Sequence, residues 1–175
     1  SDAFDYDLGS LDDQDEGYGF SSSWEVDQMN GSVTIAEGSL EYPETKSSGN
    51  RVIIELNEEE ESKGVRRYLD QAFVTGQELW LSVLMQPIIL ADGGFWLRPN
   101  DNQAIAIGKR WGSNIGIDNN GTSLNMQQGE TYRLVARYQL KADETVVHLW
   151  VNRNKDFTEE NFDATKTVGP ISEIE

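Results

Sequence analysis

Three indole side chains stand near hydrogen-bonding side chains: Trp96 with Arg98, Trp111 next to Lys109 and Arg110, and Trp150 two residues from His148. An indole face stacks on the apolar face of a pyranose, and neighbouring polar groups then hydrogen-bond the ring hydroxyls. Arg137, alternating with Arg133 and Val135, is either a ligand contact on a sheet face or an ion-pair partner. The expected ligand-binding set is therefore Trp96, Arg98, Lys109, Trp111, Arg137, His148 and Trp150. Trp24 and Trp80 are expected in the core or at its border. At least one of Trp96, Trp111 and Trp150 is expected to join them, because large aromatics are usually interior residues.

Other chemistries find less support. His148 is the single histidine, with no G-x-S-x-G elbow to supply a nucleophile. The chain has no cysteine, which removes disulfides, thiolate metal sites and a cysteine nucleophile. With one histidine and no cysteine, zinc and copper sites of the usual kind are excluded too. Calcium stays open as a structural ion. Asp5, Asp7, Asp13 and Glu16 fall at positions 1, 3, 9 and 12 of an EF-hand-like spacing, but Ser10 occupies the place of the usual glycine and no flanking helix is expected.

The elements that must position these residues read as strands. From Ser32 onward the apolar period is two: Val33 and Ile35, then Leu40 and Tyr42, around Glu37-Gly38, predict a hairpin. Further strands are predicted at 51–56, 79–84, 95–98, 104–107 (ending at Gly108) and 114–118 (ending at the turn Asn119-Asn120-Gly121). The segments 132–140 and 145–152 predict a long hairpin across Lys141-Ala142-Asp143-Glu144. Glu58 to Glu61 predicts a solvated loop, and only 158–164 suggests a helical turn. Short strands at this spacing predict an all-β fold of two packed antiparallel sheets, with 1–175 as one domain.

Composition bounds the partners. Thirty-one acids against fourteen bases give a net charge of −17, and an acidic surface repels nucleic acid and anionic membrane. Residues 1–45 hold twelve acids and no base, whereas 93–155 hold eight Lys or Arg against five acids. No apolar run approaches the ~20 residues of a membrane span, so membrane insertion is not expected. The first residues lack the charged and apolar regions of an export signal, which is expected to have been removed or to lie outside this sequence.

In order along the chain, Phe4-Asp5-Tyr6, Gly17-Tyr18-Gly19-Phe20, Trp24, Gly38-Ser39-Leu40-Glu41-Tyr42-Pro43 and Ser48-Gly49-Asn50-Arg51-Val52 resemble a LamG-like, concanavalin A-like module of large secreted bacterial proteins. Leu79 to Leu84, Gly93-Gly94-Phe95, Ile107-Gly108-Lys109, Ile115 to Asp118, Leu134 to Arg137 and Val147 to Asn152 continue that resemblance. It implies a jelly-roll sandwich, an extracellular or cell-surface location, and binding of a polysaccharide or a neighbouring module. Asp12 to Glu16 is more acidic than the resemblance implies, and Ile171 to Glu175 looks like the start of a closing strand cut short.

Trp24 to Asn30 invites comparison with the E-x-D-x-x-E signature of glucanases of that fold, whose carboxylates sit on one strand face. Asn30 replaces the third acid, and Gly31 beside it suggests a turn there. The expected function is therefore a carbohydrate-binding module that is not an enzyme. The alternatives are a structural or adhesive spacer, and then a polysaccharide-cleaving enzyme.

Overall fold

The computed structural model describes residues 4–15, 17–26, 31–45, 48–56, 64–88, 93–97, 105–109, 114–153, 157–158 and 160–174, with the backbone alone at Gly31, Leu56, Trp96 and Leu97. All regular structure among them is β, in several antiparallel sheets, an arrangement compatible with a β-sandwich. The chain divides into two compact units, one of residues 1–40 and 46–71 and one of residues 41–45 and 72–175.

The first unit contains β1 (Gly9–Ser10), β2 (Glu25–Val26), β3 (Gly31–Ala36), β4 (Arg51–Leu56) and β5 (Val65–Arg66). Its sheet runs β1-β3-β4, with β2 and β5 paired separately. Alternation on β3 turns Val33 and Ile35 inward, where they join Tyr6 and Leu11 and are flanked by Phe4, Trp24, Val26, Val52 and Val65. The partner of β3 is β4, with Val33 opposite Ile54 and Ile35 opposite Val52, and not the segment around Leu40 and Tyr42 that the alternation suggested. Within this unit the Arg51 guanidinium donates to the carbonyls of Glu37 (2.6 Å) and Gly38 (3.0 Å), which ties the end of β3 to the start of β4.

Arg67 organises the rest of this unit. Its side chain is only 2% exposed, its guanidinium lies 4.6 Å from the Phe20 ring centre and 5.7 Å from that of Trp24, and it donates to the Ser22 carbonyl and the Tyr6 hydroxyl. The Trp24 indole donates to that same hydroxyl.

The second unit holds β6 (Phe73–Val74), β7 (Glu78–Met85), β8 (Gly93–Leu97), β9 (Ile105–Lys109), β10 (Asn114–Ile117), β11 (Asn120–Asn125), β12 (Tyr132–Leu140), β13 (Thr145–Val151), β14 (Ala164–Val168) and β15 (Glu173–Ile174). One four-stranded sheet runs β11-β10-β9-β8, another β14-β13-β12-β7, and β15 pairs with β6. The predicted long hairpin is present as β12 and β13, in register from Leu134 opposite Val151 to Leu140 opposite Thr145. Leu134, Ala136, Tyr138 and Leu140 on β12, with Val147 and Leu149 on β13, are fully or almost fully buried. Ile105, Ile107, Ile115 and Ile117 are equally buried on β9 and β10. Lys166 on β14 bonds Asp118, in the turn after β10, at 2.5 Å.

Four glycines form one row across the first of these sheets, Gly94 opposite Gly108, Gly108 opposite Gly116, and Gly116 opposite Gly121. A Cβ at Gly108 would overlap the backbone of Gly93 and Gly94, and one at Gly116 the backbone of Asn120 and Gly121. The strands approach too closely there for a side chain. Gly108 therefore lies inside β9 and does not end it.

Among the described residues of 158–164, where a helical turn is expected, the Asn161 N–H donates to the Thr158 carbonyl at 3.3 Å, a single turn that no helix continues. The Asn161 side chain accepts from the Thr158 N–H and the Asp163 carboxylate accepts from the Val151 N–H. Side-chain acceptors of this kind offer the backbone an alternative to a helical ladder, and Ala164 already begins β14.

Candidate functional site

One face of β12 and β13 points into the interior of the second unit, and the other gathers polar and aromatic groups. Register places Trp80 opposite Arg137 and Arg137 opposite His148 in a line across β7, β12 and β13. One step along, Ser82, Val135 and Trp150 form the next line. Because paired residues share a face, the alternation of these strands brings Arg137, His148 and Trp150 of the expected set together, with Trp80 added.

The two indoles lean together across β12. Trp80 stacks on Trp150 with ring centres 5.5 Å apart and planes 15° from parallel. Trp150 is fully buried, whereas Trp80 is 44% exposed. The Arg137 guanidinium, 9% exposed, lies 5.5 Å from Trp80 and 6.0 Å from Trp150, and one of its nitrogens is 3.4 Å from His148 Nδ1. Phe157 meets Trp150 edge-on at 5.6 Å, and Phe162 packs on His148 at 5.0 Å. The Trp150 indole donates to Asn161 at 2.9 Å, and Arg153 is paired with Asp163 at 3.1 Å.

At the rim, Glu78 uses both carboxylate oxygens. One accepts from the Trp80 indole N–H at 3.3 Å and the other from the Gln139 amide at 2.9 Å. The exposed indole is thus held by a carboxylate at its polar edge and by a buried indole against its face. Such a plate can stack on a flat apolar surface while the rim exchanges hydrogen bonds with hydroxyl groups.

Of the remaining expected site residues, those that are described lie on other elements. Lys109 ends β9 and is buried, and Trp96 lies on β8 opposite Ala106. Arg98, Trp111 and Glu16 are outside the described residues. Asp5, Asp7 and Asp13 are in the first unit, all exposed, and among the described residues no group of three or more His, Cys, Asp or Glu is placed to hold a metal ion. Among the described residues no helix is long and apolar enough to cross a membrane.

Trp80, Glu78 and Gln139 were not among the expected contacts, and a signal for them exists in the sequence. In Glu78-Leu79-Trp80-Leu81-Ser82-Val83, Trp80 alternates with the apolar residues and shares its parity with Glu78 and Ser82. A tryptophan on the polar face of a strand is a candidate contact. Comparison with known proteins finds no matching family model, no matching curated protein and no matching solved structure.

Proposed function

We propose that the chain is a non-catalytic carbohydrate-binding module of an extracellular protein, built on a concanavalin A-like jelly roll. The observation that carries this reading is Trp80, a large apolar ring left 44% exposed while its orientation is fixed from two sides. Fully burying a large apolar side chain stabilises a fold by about 1.5–3 kcal/mol. A ring that forgoes part of this, yet is held rigidly, is suited to stacking on a sugar. Glycan-array binding by the wild type, lost by at least about tenfold in Trp80→Ala at a temperature where the variant is still folded, is the expected result. The exposed Ile88 supplies a control, since Ile88→Ala leaves binding unaltered.

The non-catalytic reading rests on Asn30 standing where the glucanase-like segment would need its third acid. No reducing ends or unsaturated products are expected from the glycans that bind, and their release would refute this part.

The packing of Phe157 and Phe162 around Trp150 and His148 favours a second reading, a structural or adhesive spacer in which the cluster is a supplementary core. That reading gains if Trp80→Ala lowers the melting midpoint and no glycan is retained by the wild type.

A further inference from the structure

We propose that the ligand of the Trp80 platform is a neutral saccharide and that acidic glycans are disfavoured there. The inference rests on the carbohydrate-binding reading above. Charge along the sequence points the other way, because residues 93–155 are net basic and suggest tolerance of uronates or sulfated sugars. Of those cations, the one beside the Trp80 platform, Arg137, is buried.

Arg137 is 9% exposed and lies against the indole layer formed by Trp80 and Trp150. Trp150, stacked on Trp80, is wholly buried. The accessible part of the Trp80 ring is therefore the part turned away from both. What borders that part along β7 is Glu78 and Ser82, both exposed and both on the face of Trp80. The charged group bonded to the exposed edge of the plate is thus a carboxylate, 3.3 Å from the indole nitrogen, while the Arg137 guanidinium lies on the covered side.

A carboxylate or sulfate on a stacked sugar would come close to Glu78, and like charges at short range repel. A neutral sugar meets the opposite situation. An ionised carboxylate offers about four lone-pair positions, of which Trp80 and Gln139 occupy two. The others accept from vicinal hydroxyls, a charge-assisted bond stronger than one between neutral groups. Glu78 is then both a specificity-determining residue and the residue that orients the plate.

The test is binding of the full chain to immobilised neutral oligosaccharides (cello-, xylo- and galacto-series) and acidic ones (polygalacturonate and alginate fragments). Wild type, Trp80→Ala and Glu78→Gln are compared at about 20 mM and about 0.5 M NaCl. The expected result is a neutral ligand whose affinity changes by less than about twofold with salt and falls by about tenfold or more in Trp80→Ala. Acidic ligands bind at least about tenfold more weakly, and Glu78→Gln narrows that gap while keeping the wild-type melting midpoint. A Trp80-dependent preference for acidic ligands that fades with salt overturns the neutral class and leaves the module reading intact. No Trp80-dependent binding of either class overturns both.

Discussion

At Tyr138 a phenolic hydroxyl sits in the interior of the second unit with no hydrogen-bond partner among the described residues. A buried hydroxyl left unpaired costs about 1–3 kcal/mol. Tyr138→Phe keeps the ring and removes the penalty, so denaturant unfolding near neutral pH should show a gain of about 1 kcal/mol. Burial also pushes the Tyr138 phenol far above its ordinary value of 10.0, and the nearby Asp118 carboxylate pushes it further. The unfolded chain then releases this proton at a lower pH than the folded one. The tyrosine's contribution is complete below pH 10 and declines as pH rises beyond it. The advantage of Tyr138→Phe should therefore widen by about 1.4 kcal/mol per pH unit above about pH 10, and a constant difference from pH 9 to pH 11 would contradict the burial argument. In the first unit, Arg67 presents a planar fork that a lysine cannot reproduce. Arg67→Lys is expected to cost about 3 kcal/mol, whereas Asp15→Asn, at an acid 76% exposed, should stay within about 0.5 kcal/mol. Part of the candidate site was legible at this scale: Arg137, His148 and Trp150 were singled out by type and spacing. Trp80 was not, because alternation assigns a face to a residue but does not say whether that face is covered. The pairing of Trp80 with Arg137 joins residues 57 positions apart, which no local pattern encodes.

Among the elements, those with long, regular alternation were legible. β12 and β13 turn alternate apolar residues toward the interior, and β7 carries Leu79, Leu81 and Val83 on a single face. The two-residue strands β1, β2, β5, β6 and β15 are too short for any period to register. β11, Asn-Gly-Thr-Ser-Leu-Asn, is polar enough to look like a continuing turn, and its strand state comes from pairing with β10. Strand β9 runs through Gly108 although glycine punctuates loops more often than it fills sheets. Here Gly108 has a φ of +142° and faces backbone on the neighbouring strand. Gly108→Ala should lower stability by about 3 kcal/mol, from overlap and from a conformation that side chains resist. Gly93 lies on the adjacent strand β8, where among the described residues a Cβ meets the end of the flexible Met85 side chain at 3.4 Å. Gly93→Ala should fall within about 1 kcal/mol of wild type. Equal effects of the two substitutions on thermal or denaturant midpoints would rule out the close approach as the reason for the glycine row.

For the whole molecule, the governing quantity is a net charge of −17 on 175 residues. Self-repulsion of that size favours expanded states, and the ion pairs that oppose it are often exposed: Arg66 with Glu25 at 55% and 45%, Lys141 with Glu144 at 48% and 37%. Exposed pairs contribute about 0–1 kcal/mol each, so screening removes little attraction and much repulsion. The melting midpoint is therefore expected to rise with monovalent salt up to about 0.5 M, where the Debye length has fallen well below its value of about 10 Å at 0.1 M. A falling midpoint would mean that attractive pairs outweigh the net charge. The twelve acids of residues 1–45 make a specific cation effect separable from this general one. At matched ionic strength, screening predicts coincident melts in sodium and choline chloride. A further rise at low calcium concentration, reversed by chelator, would be mass action from a bound ion. Neutralising Asp5, Asp7 and Asp13 together by Asn should abolish any such rise while preserving the response to monovalent salt. If the calcium increment survives the triple substitution, the ion is held by oxygens elsewhere in the chain.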